Sequence, residues 1–305
     1  MRLVDRIGVG ALLSAFPPEL VDEVLAVSGA RERRSRKLPA QAVAYYAMAY
    51  PLFSADPSPE VWGKLLAGLA WARCNRQRWA VEAHPSAAAL TKARQRLGSR
   101  AMAGVLAAGI SRAAADPTGS RILVLESFVL EADVSPANVA AFGASPRVRV
   151  VALADQETGG LRGVRIGPPS GDIRAMARLL LPKAPAGAVV VGDSAVLPPA
   201  DLGALDAAGV RAVARLDADA SPPAGGRVVA SGHLRLATTL DDSWDALGLY
   251  RGRWRLATAI GEVGGRPGAG SAVALRSRTP ELVMQEAYGL FCVYQAVRNL
   301  FASLS

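Results

Sequence analysis

At 305 residues the chain can bury a full core and fill two lobes. Its 51% hydrophobic and 20% charged residues exclude a disordered protein, and its net charge of +9 makes it basic. No uninterrupted apolar run reaches transmembrane length, and Met1-Arg-Leu-Val-Asp-Arg lacks the apolar core of a secretory signal, so a cytoplasmic location is the expectation. Cys74 and Cys292 are too few for a disulfide framework, and His84 and His233 are too few for a His-built metal site. No cofactor is expected.

The charge is uneven. Residues 1–118 carry 16 Lys/Arg against 9 Asp/Glu, whereas the remainder has 19 against 17. A basic N-terminal lobe suits an acidic partner such as nucleic acid. Arg outnumbers Lys throughout, so a compositional Arg bias is the plainer alternative.

Residues 1–118 read as an all-α domain. Pro17-Pro-Glu-Leu-Val-Asp-Glu opens one helix with prolines and an acidic first turn. Arg31-Glu-Arg-Arg-Ser-Arg-Lys is a charged linker, after which Pro39 opens an apolar helix over 40–52. Residues 57–71 form a helix with Val61, Leu65, Leu66 and Leu69 on one face. Ser86 caps another to about residue 97, and 101–115 form a last one. Arg73, Arg76, Arg78, Lys92, Arg94, Arg96 and Arg100 make the densest basic region. It reads as a phosphate-contacting surface or as a solvated face.

Asp116-Pro-Thr-Gly-Ser is a breaker cluster and marks the boundary with a second domain, 119–305. Strands are predicted over 122–130, 148–154, 161–166, 188–193 and 210–216, and helices over 172–181 and 200–208. The first strand carries Glu126 at its end and turns into a second strand bearing Glu131 and Asp133. A short β insertion at about 217–240 contains a hairpin with a Ser-Gly turn. One helix is predicted from about Ser243 to residue 263, and Thr279-Pro opens a closing helix to residue 304. The class is α/β. The order is that of a ribonuclease H-like mixed sheet flanked by helices, with Glu126 and Asp193 at carboxyl ends of strands, where open α/β sheets place their sites.

These stretches resemble the DDE transposases of the bacterial insertion-sequence type-four group. Phe16-Pro-Pro-Glu-Leu-Val-Asp and Arg33-Arg-Ser-Arg-Lys-Leu-Pro-Ala look like that group's N-terminal domain. Ser135-Pro-Ala-Asn-Val-Ala-Ala-Phe-Gly, the trio Tyr250, Arg253 and Trp254, and Leu275-Arg-Ser-Arg-Thr-Pro look like three later segments in the same order. The resemblance implies a two-metal strand-transfer enzyme in which two Asp and one Glu hold magnesium. This sequence departs from that pattern. Glu126-Ser-Phe stands where the family has Asp-Gly-Thr, and Asp193-Ser-Ala-Val where it has Asp-Arg-Gly-Phe. The family's Tyr, Arg, Glu and Lys fall on Tyr250, Arg253, Ala257 and Gly264, so the catalytic Glu and the Lys are missing. Glu262 is offset by about 140° from Ala257 on a helix and reads as a helix-end surface acid.

Two functions follow. In the first, the protein is recruited to metal-independent acid/base chemistry, such as isomerisation, cyclisation or elimination on an apolar small molecule. Glu126 and Asp193 would be the catalytic pair with Arg253, and Phe128, Ser194, Val196, Tyr250, Trp254 and Ala257 would line the pocket. In the second, it is a catalytically inactive DNA-binding relative. An active transposase is third. Plainer readings stand beside these: Phe128 as core, Tyr250 and Trp254 as helix-packing residues, and Arg253 as a structural ion-pair partner of Asp193 or Glu126.

Overall fold

The computed structural model describes residues 3–32, 34, 36–71, 84–114, 122–217, 220, 226–253, 256–263 and 274–303. They group into two compact units. One comprises residues 1–113, 130–148 and 258–305; the other comprises residues 114–129 and 149–257.

The first unit is mainly helical: α1 (Leu3–Ala15), α2 (Pro18–Val27), α3 (Ala40–Leu52), α4 (Ser58–Trp71) and all but the last residue of α5 (Ala87–Ala114). α3 is apolar around its whole circumference and is buried from Ala40 to Pro51, as an all-round apolar helix must be. Ser86 caps α5 by accepting from the Ala89 amide at 3.2 Å, and the helix breaks at Gly98, whose φ of 76° favours glycine. The predicted helix pair on either side of residue 98 is therefore present.

In the second unit lie the first eight residues of β1 (Ile122–Ala132), which is followed by α6 (Pro136–Phe142) in the first unit. β1 is one continuous strand of 11 residues, where the sequence suggested a strand turning into a second. No Gly, Pro or Asn interrupts 126–133, and Phe128, Val129 and Leu130 at its middle favour extended chain. Next come β2 (Arg147–Asp155), β3 (Leu161–Gly167), α7 (Ile173–Arg178), β4 (Val189–Gly192), α8 (Leu202–Ala207), β5 (Arg211–Arg215), β6 (Arg227–Ser231) and β7 (Leu234–Thr238). β6 and β7 form the expected hairpin, closed by Gly232 at φ 60° and His233, because Ser231 pairs with Leu234.

The strand order is β3-β2-β1-β4-β5-β7-β6, with β8 (Ala274–Leu275) pairing the end of β1. β1, β4 and β5 are parallel, and β3 and the β6–β7 hairpin are antiparallel to their neighbours. This is the ribonuclease H-like mixed sheet that the element order predicts. Its two faces have separate cores. Leu123, Leu125, Val190, Ala212 and Ala214 cluster with Ala177, Leu202 and Leu205 from α7 and α8. Val189, Val191, Val213 and Leu236 cluster on the other face with Ala246 and Tyr250 of α9 (Ala246–Arg251).

The sequence predicted one helix from about Ser243 to 263. The chain instead forms α9 and leaves the helix at Gly252, with α10 (Leu256–Val263) beyond it. Gly252 destabilises a continuing helix, and Asp245 defines the start of α9 by accepting from the Gly248 amide at 2.8 Å. α11 (Pro280–Ala302) closes the chain and packs on α3 and α1 in the first unit.

Candidate functional site

The acids come together through strand register. β1 and β4 run parallel with Leu125 beside Gly192, so Glu126 and Asp193 stand one residue beyond the last matched pair. Side chains alternate faces along a strand. Ile122, Val124, Glu126 and Phe128 therefore share a face with Val189, Val191 and Asp193, and this is the face covered by α9. Gly192 permits the approach: a Cβ there would lie 3.1 Å from the Leu125 carbonyl oxygen and 3.2 Å from Leu197 Cβ. After Gly192 the chain turns sharply, with the Asp193 carbonyl accepting from the Val196 and Leu197 amides at 3.1 and 2.9 Å.

Both acids already accept hydrogen bonds from the chain. The Tyr250 hydroxyl donates to Asp193 Oδ1. The Arg253 guanidinium donates to Oδ1 and Oδ2 of Asp193 at 3.4 and 3.5 Å, and to the Tyr250 carbonyl at 2.9 Å. That guanidinium also lies 4.0 Å from the Tyr250 ring centre, a cation–π contact. Burial first, and then the bond to Asp193, push the Tyr250 phenol up to about 12. Glu126 Oε2 accepts from the Leu256 backbone amide at 2.7 Å. Gln156, just past β2, donates from its side-chain amide to the Gly252 carbonyl.

The other residues singled out by sequence are placed as follows. Val196 is 3% exposed and belongs to the apolar cluster on the α7–α8 face. Phe128 and Ser194 are half-buried, and the Ser194 hydroxyl donates to Asp217 at 3.2 Å. Tyr250 is 4% exposed, so its ring packs in the core while its hydroxyl serves Asp193. Ala257 is the second residue of α10, and its side chain and that of Glu262 lie outside the described set, as do Trp254 and Gly264. Glu131 is exposed, and Asp133 pairs with Arg278 at 3.8 Å.

The basic region divides. Arg73, Arg76 and Arg78 lie outside the described residues. Lys92 and Arg100 are exposed on α5. Arg96 donates to the Leu38 carbonyl at 2.6 Å and pairs with Glu32 at 3.4 Å, which ties the charged linker to α5. Arg31, Arg34, Arg36 and Lys37 on that linker are exposed. Arg94 is different: it is 4% exposed, bonds Gln285 at 2.8 Å, Ser277 at 3.0 Å and the Leu282 carbonyl at 3.2 Å, and stacks 4.2 Å from the Tyr50 ring centre. It has no face left for a phosphate. A signal for this lay in the sequence, because Arg94 falls in the helical series Leu90, Arg94, Leu97, Ala101, all buried.

Sequence reasoning missed Arg215. It ends β5 one residue past the Gly192–Ala214 pair, is exposed, and is close enough for its charge to bear on the Tyr250 phenol. It also missed the buried polar centre of the first unit. There Glu286 accepts from the Arg276 and Ser277 amides at 3.1 and 2.8 Å, and the Arg276 guanidinium lies 3.8 Å from the Tyr50 ring centre.

Residues 6–107 match the family model described as the insertion element 4 transposase N-terminal domain. The fold is similar to that of piggyBac transposase in a cryo-EM synaptic complex with hairpin DNA, with a TM-score of 0.50 over 94% of this chain and 73% of that one. The chain is transposase-related. At 7% identity the structural likeness is one of fold, and no curated protein matches. The metal pair of the DDE enzymes needs several convergent oxygen ligands. In this transposase-related chain the acid pair offers two carboxylates, one of them bonded to a guanidinium. Among the described residues no group of three or more His, Cys, Asp or Glu is placed to hold an ion. That donor set does not fit the pair of ions. Among the described residues, too, no helix is long and apolar enough to cross a membrane.

Proposed function

We propose that this protein is a transposase-derived DNA-binding protein that does not carry out two-metal strand transfer. The observation that carries this reading is the engagement of Asp193, the one acid retained from the family pattern, by Tyr250 and Arg253. A carboxylate holding a guanidinium has its charge balanced already, and an incoming cation must displace that partner. Ala257, where the family has Glu, brings no third carboxylate. DNA binding is supported by the family match over residues 6–107 and by the exposed cations of the linker and α5. Among the described residues nothing favours acid/base chemistry on an apolar small molecule: Asp193 is bonded, and Val196 is core.

The test is a duplex carrying the ends of the element that encodes the protein, incubated with magnesium or manganese. The expected outcome is salt-dependent retention of the duplex with no nicking. Metal-dependent nicking that Asp193→Asn abolishes would overturn the loss of strand transfer. Failure to retain duplex even at low salt would overturn the DNA-binding role.

A further inference from the structure

We infer that the chain supplies its own partners to the acid pair, so that Glu126 and Asp193 act as a clasp holding Tyr250, Arg253 and Leu256 on the sheet; this rests on the metal-free reading above. Three observations converge on it. Asp193 accepts from the Tyr250 hydroxyl and the Arg253 guanidinium. Gln156 holds the Gly252 carbonyl where α9 ends. Glu126 accepts from the Leu256 amide at 2.7 Å.

The last contact explains the side chain at position 126. A buried backbone amide needs an acceptor, and an anionic one makes the stronger bond. Leu256 is buried, and Glu126 reaches its amide from 130 residues away in sequence. Glu places its carboxylate one methylene farther from the strand than Asp would.

Amide hydrogen exchange on the full chain, read at Leu256 with a manganese titration alongside, tests this. Glu126→Gln keeps an acceptor oxygen at the same reach and should leave Leu256 protected. Glu126→Asp, which restores the family residue, should speed its exchange at least about tenfold, the loss of one hydrogen bond to a charged group. Asp193→Asn should leave the Leu256 amide slow and loosen Tyr250 and Arg253 instead. Unchanged exchange at Leu256 in the Glu126→Asp protein overturns the clasp. Equal loosening in Glu126→Asp and Glu126→Gln overturns it too, since general destabilisation would then suffice. Saturable manganese binding by the wild type that Asp193→Asn removes would instead overturn the metal-free reading, whatever Leu256 does.

Discussion

At the scale of single residues, two tyrosines set a property that can be read without knowing a substrate. Burial pushes the phenol of Tyr46 up to about 12, and burial together with the bond to Asp193 pushes that of Tyr250 to about 12. A group whose pKa is raised by folding lends stability that is complete below its unfolded value near 10 and is lost as pH climbs from there towards 12. The wild type should therefore lose more stability between pH 9 and pH 11.5 than a Tyr46→Phe/Tyr250→Phe protein, measured as the fall in the urea midpoint. Tyr250 shows what residue identity alone left open. Its place in the family spacing drew attention to it, and the sequence offered a pocket wall or a packing residue. The fold makes it both core and hydrogen-bond donor, because its ring joins Val191 and Val213 while its hydroxyl reaches the carboxyl edge of the sheet.

At the scale of elements, α11 and α3 approach closely in the first unit. A Cβ at Gly289 would lie 2.3 Å from the Ala47 carbonyl oxygen, so α11 rests against the backbone of α3. Gly289→Ala should cost about 1–3 kcal/mol, the range for overpacking a close-packed core, and lower the melting temperature in a thermal scan. Elements were legible where periodicity and punctuation agreed. α3 was marked by Pro39 and an unbroken apolar stretch, and the break in α5 by the gap between its two predicted helices at Gly98. They were misread where a long-range contact decides. The predicted 243–263 helix is split at Gly252, whose carbonyl is held by distant Gln156, and only the glycine itself is local.

At the scale of the molecule, the net charge of +9 is a crude guide to DNA contact, and burial refines it. Lys92→Gln/Arg100→Gln should lower the slope of log affinity against log salt by about one unit for each cation that meets a phosphate. Arg94→Gln should leave the slope of the folded protein unchanged and lower its melting temperature, since it breaks a buried network with Gln285 and Ser277. Filter retention over a salt series measures the first, and the melt of the same samples the second.

The sequence by itself determined the fold class, the resemblance to transposases and, through strand order, the nearness of Glu126 to Asp193. Strand order, periodicity and residue identity are local or countable properties, so they survive without coordinates. The tertiary structure decided what the two acids hold. Backbone amides such as that of Leu256 leave no mark in a sequence, and a guanidinium finds its carboxylate only when the chain between Asp193 and Arg253 has folded. The same physics removed Arg94 from the basic surface. Its charge counts in any composition, yet its position on the buried stripe of α5 spends it on Gln285, Ser277 and the ring of Tyr50.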